Sequence, residues 1–500
     1  MPNAFAYFML FAWPLIVVVL FKRFPLVLAG AISIIVGYLL LPVQPSINLP
    51  VLPSYNKELA MTLPAFIMAA IVSNKAVQSG VLQQNEGWFP KNWALRLCML
   101  MIVVSPLLTA MTNGDPVDVG NRMLPGLSLY DGASNVLAAG LALIPFLLAW
   151  KWFGHPDAQK TLLLVLAIAL LAYSFLALFE IRMSPRLNNS VYGFFPSAWR
   201  QHIRGDGFRP LVFLEHGLRL GIIIAMAILA AIGVYRARIT SKPALFLSIS
   251  IWLLLTLVLC KSVGALIIAC VLLPVVFFLS ARLQILVAAC IAGLVLVYPM
   301  ARSSGALPID TITSSLERVV SDGRMASLDF RLRNEEALLN RAQERPLLGW
   351  GGWGRNMLYD EDGRNLVVPD GTWIIYFGKE GWLGYIAAFG LLTLPAIFLA
   401  SRKRSEIDAV TGTLSIVLVA NLLDLLPNSG LTPVTWLLAG SIVGRLELGR
   451  ITTQQSGLQK RPLERSIRYK RDFSDAAPQQ GSLFSRAPLR KTPVEQSRSR

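Results

Sequence analysis

Apolar runs long enough to cross a bilayer recur along almost the whole chain, and a polypeptide built this way has few folds open to it. In hydrocarbon every backbone N–H and C=O must pair within its own segment, so a run of about 20 apolar residues folds as a transmembrane helix. The runs fall at roughly 4 to 21, 25 to 42, 59 to 73, 92 to 111, 133 to 152, 161 to 180, 211 to 235, 243 to 260, 263 to 280, 284 to 300, 373 to 400, 409 to 426 and 431 to 448. They predict an all-α integral membrane protein of about thirteen transmembrane helices, the run at 59 to 73 being short and interrupted by Pro64. A chain with 54% hydrophobic and 15% charged residues and a mean hydropathy of +0.56 is not expected to form a soluble domain.

The connections divide the chain. Residues 1 to 300 hold ten helices with short loops, 301 to 372 form a large hydrophilic loop, 373 to 448 hold three more helices, and 449 to 500 form a basic tail. Positive connections stay on the cytoplasmic side. Lys22-Arg23, Lys75 with Lys91, Lys151 with Lys160, Arg236 with Arg238 and Lys242, Arg282, and Arg402-Lys-Arg404 all fall on one side of an alternating path. The loop 301 to 372 then faces outward with 43 to 58, 112 to 132 and 181 to 210. The N-terminus is outside, and the first run, lacking a basic leader and a cleavage pattern, reads as a retained helix. Much of the net charge of +17 sits in the tail, which lacks apolar periodicity and is expected to be disordered against anionic membrane lipids, without nucleic acid as a partner. Cys98, Cys260, Cys270 and Cys290 lie within apolar runs at no paired spacing and read as packing residues.

Arginines on the outward side oppose the insertion bias and need a reason. The long loop carries nine, among them Arg331, Arg345 and Arg355, the loop 181 to 210 carries Arg204 and Arg209, and no lysine occurs between Lys261 and Lys379. A guanidinium fork matches phosphate in bidentate fashion, so this bias suits a diphosphate. Most of these arginines are expected to pair with nearby acids in a soluble cap, Arg331 and those of 204 to 219 being the exceptions. Polar groups within apolar runs are costly unless they face a cavity or a partner. Glu215, His216 and Arg219 lie at i, i+1 and i+4 and make one polar patch, with Lys261 and the Asp424/Asn428 pair at matching depth.

Gly349-Trp-Gly-Gly-Trp-Gly354 formally satisfies G-x-G-x-x-G, but no strand precedes it and no alternation of strand and helix surrounds it. It reads as a tight glycine turn with two Trp rings at the bilayer interface. No phosphate-binding P-loop is present. His155, His202 and His216 are too scattered for zinc, so neither metal nor cofactor is expected.

The large late loop, its Pro346-Leu-Leu-Gly-Trp-Gly351 motif and the Glu380-Gly-Trp-Leu-Gly384 motif that follows resemble the O-antigen ligase and polymerase superfamily of bacterial membrane glycosyltransferases. The likeness covers roughly 130 to 448 as architecture, with sharp motifs between about 325 and 385, including Arg331 at the head of an amphipathic stretch running to Pro346. It implies a GT-C-like fold in the bacterial inner membrane, a periplasmic loop and a cytoplasmic tail. It also implies a glycan donor on undecaprenyl diphosphate and a glycan or lipid acceptor hydroxyl, with polysaccharide-assembly proteins as further partners. Where the family has a His-Asn pair this chain has Asp370-Gly371, so the family's histidine is not carried over.

Displacing a lipid diphosphate needs a proton acceptor and cations for the leaving phosphates. The expected catalytic set is Asp370 as base with Glu215 and His216 orienting the acceptor, and the expected diphosphate set is Arg331, Arg219, Arg209 and Lys261. The competing reading for Asp370 is a helix cap. A flippase of lipid-linked sugars and a non-catalytic partner in a synthase complex are the alternative functions.

Overall fold

The computed structural model describes residues 1–48, 53–78, 83–205, 207–307, 322–403 and 406–448. The basic tail 449 to 500 and the loop residues 308 to 321 lie outside the described residues.

Each apolar run carries helix: α1 (Ala4–Arg23), α2 (Leu26–Leu40), α3 (Lys57–Gln78), α4 (Trp93–Met111), α5 (Leu129–Ala142), α6 (Ile144–Trp152), α7 (Pro156–Met183), then, beyond the short α8 (Leu187–Tyr192), α9 (Gly217–Arg236), α10 (Pro243–Leu259), α11 (Val263–Phe278) and α12 (Ala281–Ser303). The long loop contributes α13 (Asp322–Gln343), followed by α14 (Thr372–Ala400), α15 (Ala409–Asp424) and α16 (Pro433–Leu448). Seven helical stretches are long and apolar enough to cross a membrane, and α2, α10, α11 and α15 are shorter apolar helices. Among the described residues the only sheets are two ribbons of two-residue strands, Val117–Asp118 with Met123–Leu124 and Ile203–Arg204 with Gly207–Phe208. This is an all-α protein with the helices of a membrane protein.

Burial ranks the helices. In α9 89% of the most apolar window is covered by protein, and its neighbours are α7, α10, α11 and α15. By contrast α1, α10, α11 and α12 expose Phe8, Leu15, Leu255, Ile267 and Leu294, the apolar outer face that lipid would cover. Small residues let other helices approach closely. A Cβ added at Gly440 or Gly444 of α16 would stand 2.2 Å or 2.5 Å from the carbonyl oxygens of Phe146 and Trp150 in α6, as in the small-residue contacts of membrane helices.

Hydrogen bonds sort the connections into two ends. At one, Asn3 donates to the Val191 carbonyl, Tyr192 to Leu40, Arg209 to Lys261 and Thr372 to Leu425. At the other, Asn85 donates to Trp150 and Gly444, Arg236 to Val276, Arg282 to Arg402 and Arg402 to Leu446. Lys91, Lys151, Arg236, Arg282 and Arg402, grouped from the sequence, therefore do share one end.

Three runs differ from expectation. The run 133 to 152 starts at Leu129 and divides at Leu143, because the ring of Pro145 fits the first turn of α6 but cannot continue α5. The run 211 to 235 becomes helical only at Gly217. The preceding amides are taken by a carboxylate: Glu180 of α7 accepts from Leu187, Leu211 and Val212 at 3.0, 2.9 and 2.7 Å, and Val212 is held at φ 55°. Finally α14 is broken at Gly381, where φ is 64° and ψ −161°.

Candidate functional site

The break in α14 and the glycine-tryptophan turn of the loop are two halves of one joint. Trp350 N and Gly351 N donate to the carbonyls of Gly378 and Lys379 at 2.9 and 2.8 Å, while Trp382 N and Leu383 N donate to Pro346 and Leu347 at 2.8 and 3.2 Å. The loop segment thus takes up backbone groups that the break sets free. Contact is backbone on backbone. A Cβ at Gly349 would stand 2.5 Å from the Lys379 carbonyl carbon, and one at Gly381 would stand 2.4 Å from that of Leu347.

Arginines lock the joint. Fully buried Arg355 donates to the carbonyls of Trp350, Pro125 and Asp115. Arg345 reaches Thr112 O, Asn113 Oδ1 and Asp115 Oδ2, and this partner holds the Asp115 carboxyl below the usual range. The guanidiniums of Arg341 and Arg345 cover the Trp350 ring at 3.5 and 4.4 Å, and Trp350 Nε1 donates to Arg341 O. Trp350 is therefore enclosed in protein, and only Trp353, 73% exposed, is left for the interface role expected of both rings. These arginines follow the structural reading. The loop helix α13 is anchored separately, through Glu335, which accepts from Tyr298 and Arg302 of α12, each at 3.0 Å.

Arg331 behaves differently. Its Nε lies 3.5 Å from Asp370 Oδ2 and its Nη1 is 3.4 Å from Asn428 Oδ1, while Asn428 donates to Asp424 at 2.8 Å. Arg331, Asp370, Glu335 and Tyr298 line a cavity of about 220 Å³. Burial raises the Asp370 carboxyl above its ordinary range, against the opposing pull of Arg331. The cap reading for Asp370 does not hold. Gly371 occupies the N-cap of α14 without a side-chain bond, and the Thr372 amide goes to the carbonyls of Leu425 and Asn428.

The remaining predicted residues gather around the start of α9. Glu215 and Arg219 form an ion pair at 2.6 Å, and Arg219 also meets the Tyr38 hydroxyl. His216 is spent on structure: its Nδ1 accepts from Leu218 N as the N-cap of α9, which leaves Nε2 to donate to Gln201 Oε1. Burial first, then His202 and nearby arginines, push it down to about 3. Its neighbour His202, buried against Ser197 and the Arg209 carbonyl, is pushed down to about 4, mainly by burial.

Arg209 is 6% exposed and donates through Nη2 to the Lys261 carbonyl at 3.1 Å, with Lys261 Nζ on the Arg204 carbonyl at 2.8 Å. Its Nε and Nη1 are buried without a hydrogen-bond partner among the described residues. Burial and then the charges of Arg204 and Arg331 push it down to about 10. A buried cation with idle donors is costly, and an anion would satisfy it.

The structure thus joins Arg331 with Asp370, Glu215 with Arg219, and Arg209 with Lys261, and Asn428 links Arg331 to Asp424. Among the described residues no three His, Cys, Asp or Glu side chains gather closely enough to hold a metal ion. A cavity of about 820 Å³ lies elsewhere, at the lysine-rich end between α4 and the α5/α6 junction. Its lining of Trp88, Phe89, Met99, Leu100 and Leu147 is mostly apolar, a space for lipid chains more than for polar chemistry. No protein-family profile matches this chain, and no curated protein matches it closely enough to count as a relative.

Two acidic residues escaped the sequence reading. Glu180 sits near the end of an apolar run and Glu58 at the head of another, and an acid at such a boundary was the available signal.

Proposed function

We propose that this chain is a membrane glycosyltransferase of the O-antigen ligase and polymerase type, which moves a glycan from an undecaprenyl-diphosphate carrier to an acceptor hydroxyl in surface polysaccharide synthesis. The observation that supports it best is Arg209, a buried guanidinium with two donors unused beside Lys261 and within electrostatic reach of Arg331. A diphosphate brings the charge and the acceptor oxygens that this cluster lacks. In the reaction the acceptor oxygen attacks the anomeric carbon, the bond from that carbon to the phosphate oxygen breaks, and the arginines hold the released diphosphate. Asp370 takes the hydroxyl proton, its carboxyl raised toward the working range of a base. Glu215 serves by holding Arg219, and His216 by fixing the start of α9.

In this reading the thirteen helical runs all span the bacterial inner membrane in a GT-C-like arrangement. The lysine-rich end is cytoplasmic and the arginine-rich end with its loop is periplasmic. The flippase alternative would draw on the broken helix α14, since transporters use broken helices to line midplane sites. Here the break is filled by loop backbone at Pro346 to Gly351, which favours a fixed joint. The deciding experiment supplies purified protein in nanodiscs with an undecaprenyl-diphosphate oligosaccharide and a hydroxyl acceptor. A new glycosidic product, lost in Arg209→Gln, is expected. Movement of the donor across the bilayer without any product would overturn the proposal in favour of a flippase.

A further inference from the structure

A second cavity opens at the same end of the bundle, about 330 Å³ in volume and lined by Ser54, Asn56, Glu58, Tyr376, Thr432 and Trp436 among others. The first half of α14 is the wall between the two cavities. Ile374 faces the Arg331 cavity and Tyr376 this one, as positions two apart on a helix must face nearly opposite ways. The loop after α15 continues the wall: Leu426 and Pro427 line the first cavity, Leu431 and Thr432 the second.

The two chambers differ in their cations. The first sets Arg331 among the carboxylates Asp370 and Glu335; in the second Glu58 is the only charged side chain among the lining residues. Glu58 is surrounded by protein yet exposed to solvent, as a group on a deep cavity wall is. Every predicted catalytic carboxylate is tied to an arginine, Asp370 to Arg331 and Glu215 to Arg219. The Glu58 carboxylate has no hydrogen bond or ion pair among the described residues, and the Tyr376 hydroxyl has no hydrogen bond there either. Among the described residues, Glu58 and Tyr376 therefore hold hydrogen-bonding capacity left open for water or a ligand. Around them the hydroxyl of Thr432 and the amide of Asn56 add polar contacts, and Tyr376 and Trp436 add aromatic surface. Acceptor oxygens beside aromatic rings suit a sugar, whose hydroxyls donate and whose C–H faces are apolar. The cavity lining carries no cation to receive an acidic sugar, Lys57 and Arg219 acting on Glu58 from outside the lining, so a neutral sugar is favoured.

We propose that this cavity is the acceptor subsite, which binds a neutral sugar ring with Glu58 accepting hydrogen bonds from its hydroxyls. The assignment rests on the glycosyltransferase reading and deepens it. The cavity volume lies at the lower end of the ~300–1,000 Å³ range of small-molecule sites, so it holds a terminal ring and not a long chain.

The test uses the full chain in nanodiscs and saturation-transfer NMR with methyl glucoside, methyl galactoside, methyl N-acetylglucosaminide and methyl glucuronide. Transfer to at least one neutral sugar and none to the glucuronide is expected, with the signal lost in Glu58→Ala and reduced in Tyr376→Phe. Since the Glu58 carboxylate makes no hydrogen bond or ion pair among the described residues, Glu58→Ala should lower Tm little, and Tyr376→Phe carries the test should it not. No binding of any neutral sugar, equal binding of the glucuronide, or an unchanged signal in both variants would overturn the inference. If sugar binding follows Glu58 while Arg331→Ala and Asp370→Ala still make normal polysaccharide, the subsite stands and the catalytic reading fails. If those two variants abolish polysaccharide while Glu58→Ala binds sugar normally, the reverse holds.

Discussion

Arg331 crosses from the loop helix to within 3.5 Å of the Asp370 carboxylate, so the two residues singled out for phosphate and for proton transfer share one cavity wall. Both side chains are about a third exposed, 31% and 37%, and an ion pair in such a setting contributes no more than ~1 kcal/mol. Asp370→Ala and Arg331→Ala are therefore expected to fold and insert with nearly unchanged thermal stability in detergent while losing polymer formation altogether. Long-chain polysaccharide on a gel from either variant would remove that residue from the site. Arg331→Lys, which keeps the charge but loses the planar fork, should recover only part of the activity.

The joint between Gly349 and Gly381 makes the opposite prediction, stability without chemistry. Both residues have positive φ, at 66° and 64°, and a Cβ added at either would overlap a carbonyl carbon of the other segment. Alanine at either position adds a positive-φ cost of ~1–2 kcal/mol to a steric overlap. Folded yield should fall sharply for both variants. Gly352 supplies the control, because a Cβ there meets nothing within 4 Å. Gly352→Ala should behave as wild type in yield and Tm, and equal damage from all three substitutions would contradict the joint.

That joint also marks where the sequence stops being legible. A glycine inside an apolar run is compatible with an unbroken helix, and only the partner segment at Pro346 to Gly351, some thirty residues earlier, tells Gly381 to break it. The runs themselves were readable because length and hydropathy are local properties. Arg331, Asp370, Glu215 and Arg219 were readable as charges in costly places; the i, i+4 pair of Glu215 with Arg219 is present, while the pairing of Arg331 with Asp370 was not expected. The start of α9 was not, since Leu211 to Leu214 are apolar and buried like a helix but Leu211, Val212 and Phe213 spend their amides on a carboxylate and a phenol from α7. For the same reason His216 read as an orienting residue while its ring is occupied as a cap. Long-range hydrogen bonds decide such cases, and one sequence does not display them.

Glu180 is expected to imitate a catalytic residue in a mutational screen. Its buried carboxylate accepts three backbone amides, and each amide left without an acceptor costs ~1–3 kcal/mol. Glu180→Ala should abolish polysaccharide, but by loss of folded protein, visible as low membrane yield and a lower Tm. Glu180→Gln should be only partly better, since its NH₂ group turns a donor toward the amides. A Glu180→Ala protein that is stable and inactive would make Glu180 part of the chemistry instead.

The histidines beside this segment give it a pH dependence whose sign can be worked out. His202 and His216 sit at about 4 and 3 in the folded protein, against about 6.5 for an unfolded histidine. Their folded values are depressed, so the unfolded state binds more protons below pH ~6.5, and the stability they contribute at neutral pH is lost as the pH falls toward 4 and 3. Asp370 and Glu335 run the other way. Burial raises their folded values, and their contribution is lost as the pH rises above the ordinary carboxylate range, not as it falls. Acid destabilisation between pH 6.5 and 4 is therefore assigned to the histidines, and a His202→Asn/His216→Asn double variant should show a flatter dependence of Tm on pH over that interval. Asparagine at 216 retains an acceptor for the cap on Leu218 N, so the start of α9 is preserved. An equally steep slope in the double variant would move the acid sensitivity to other groups and leave the two rings as neutral packing.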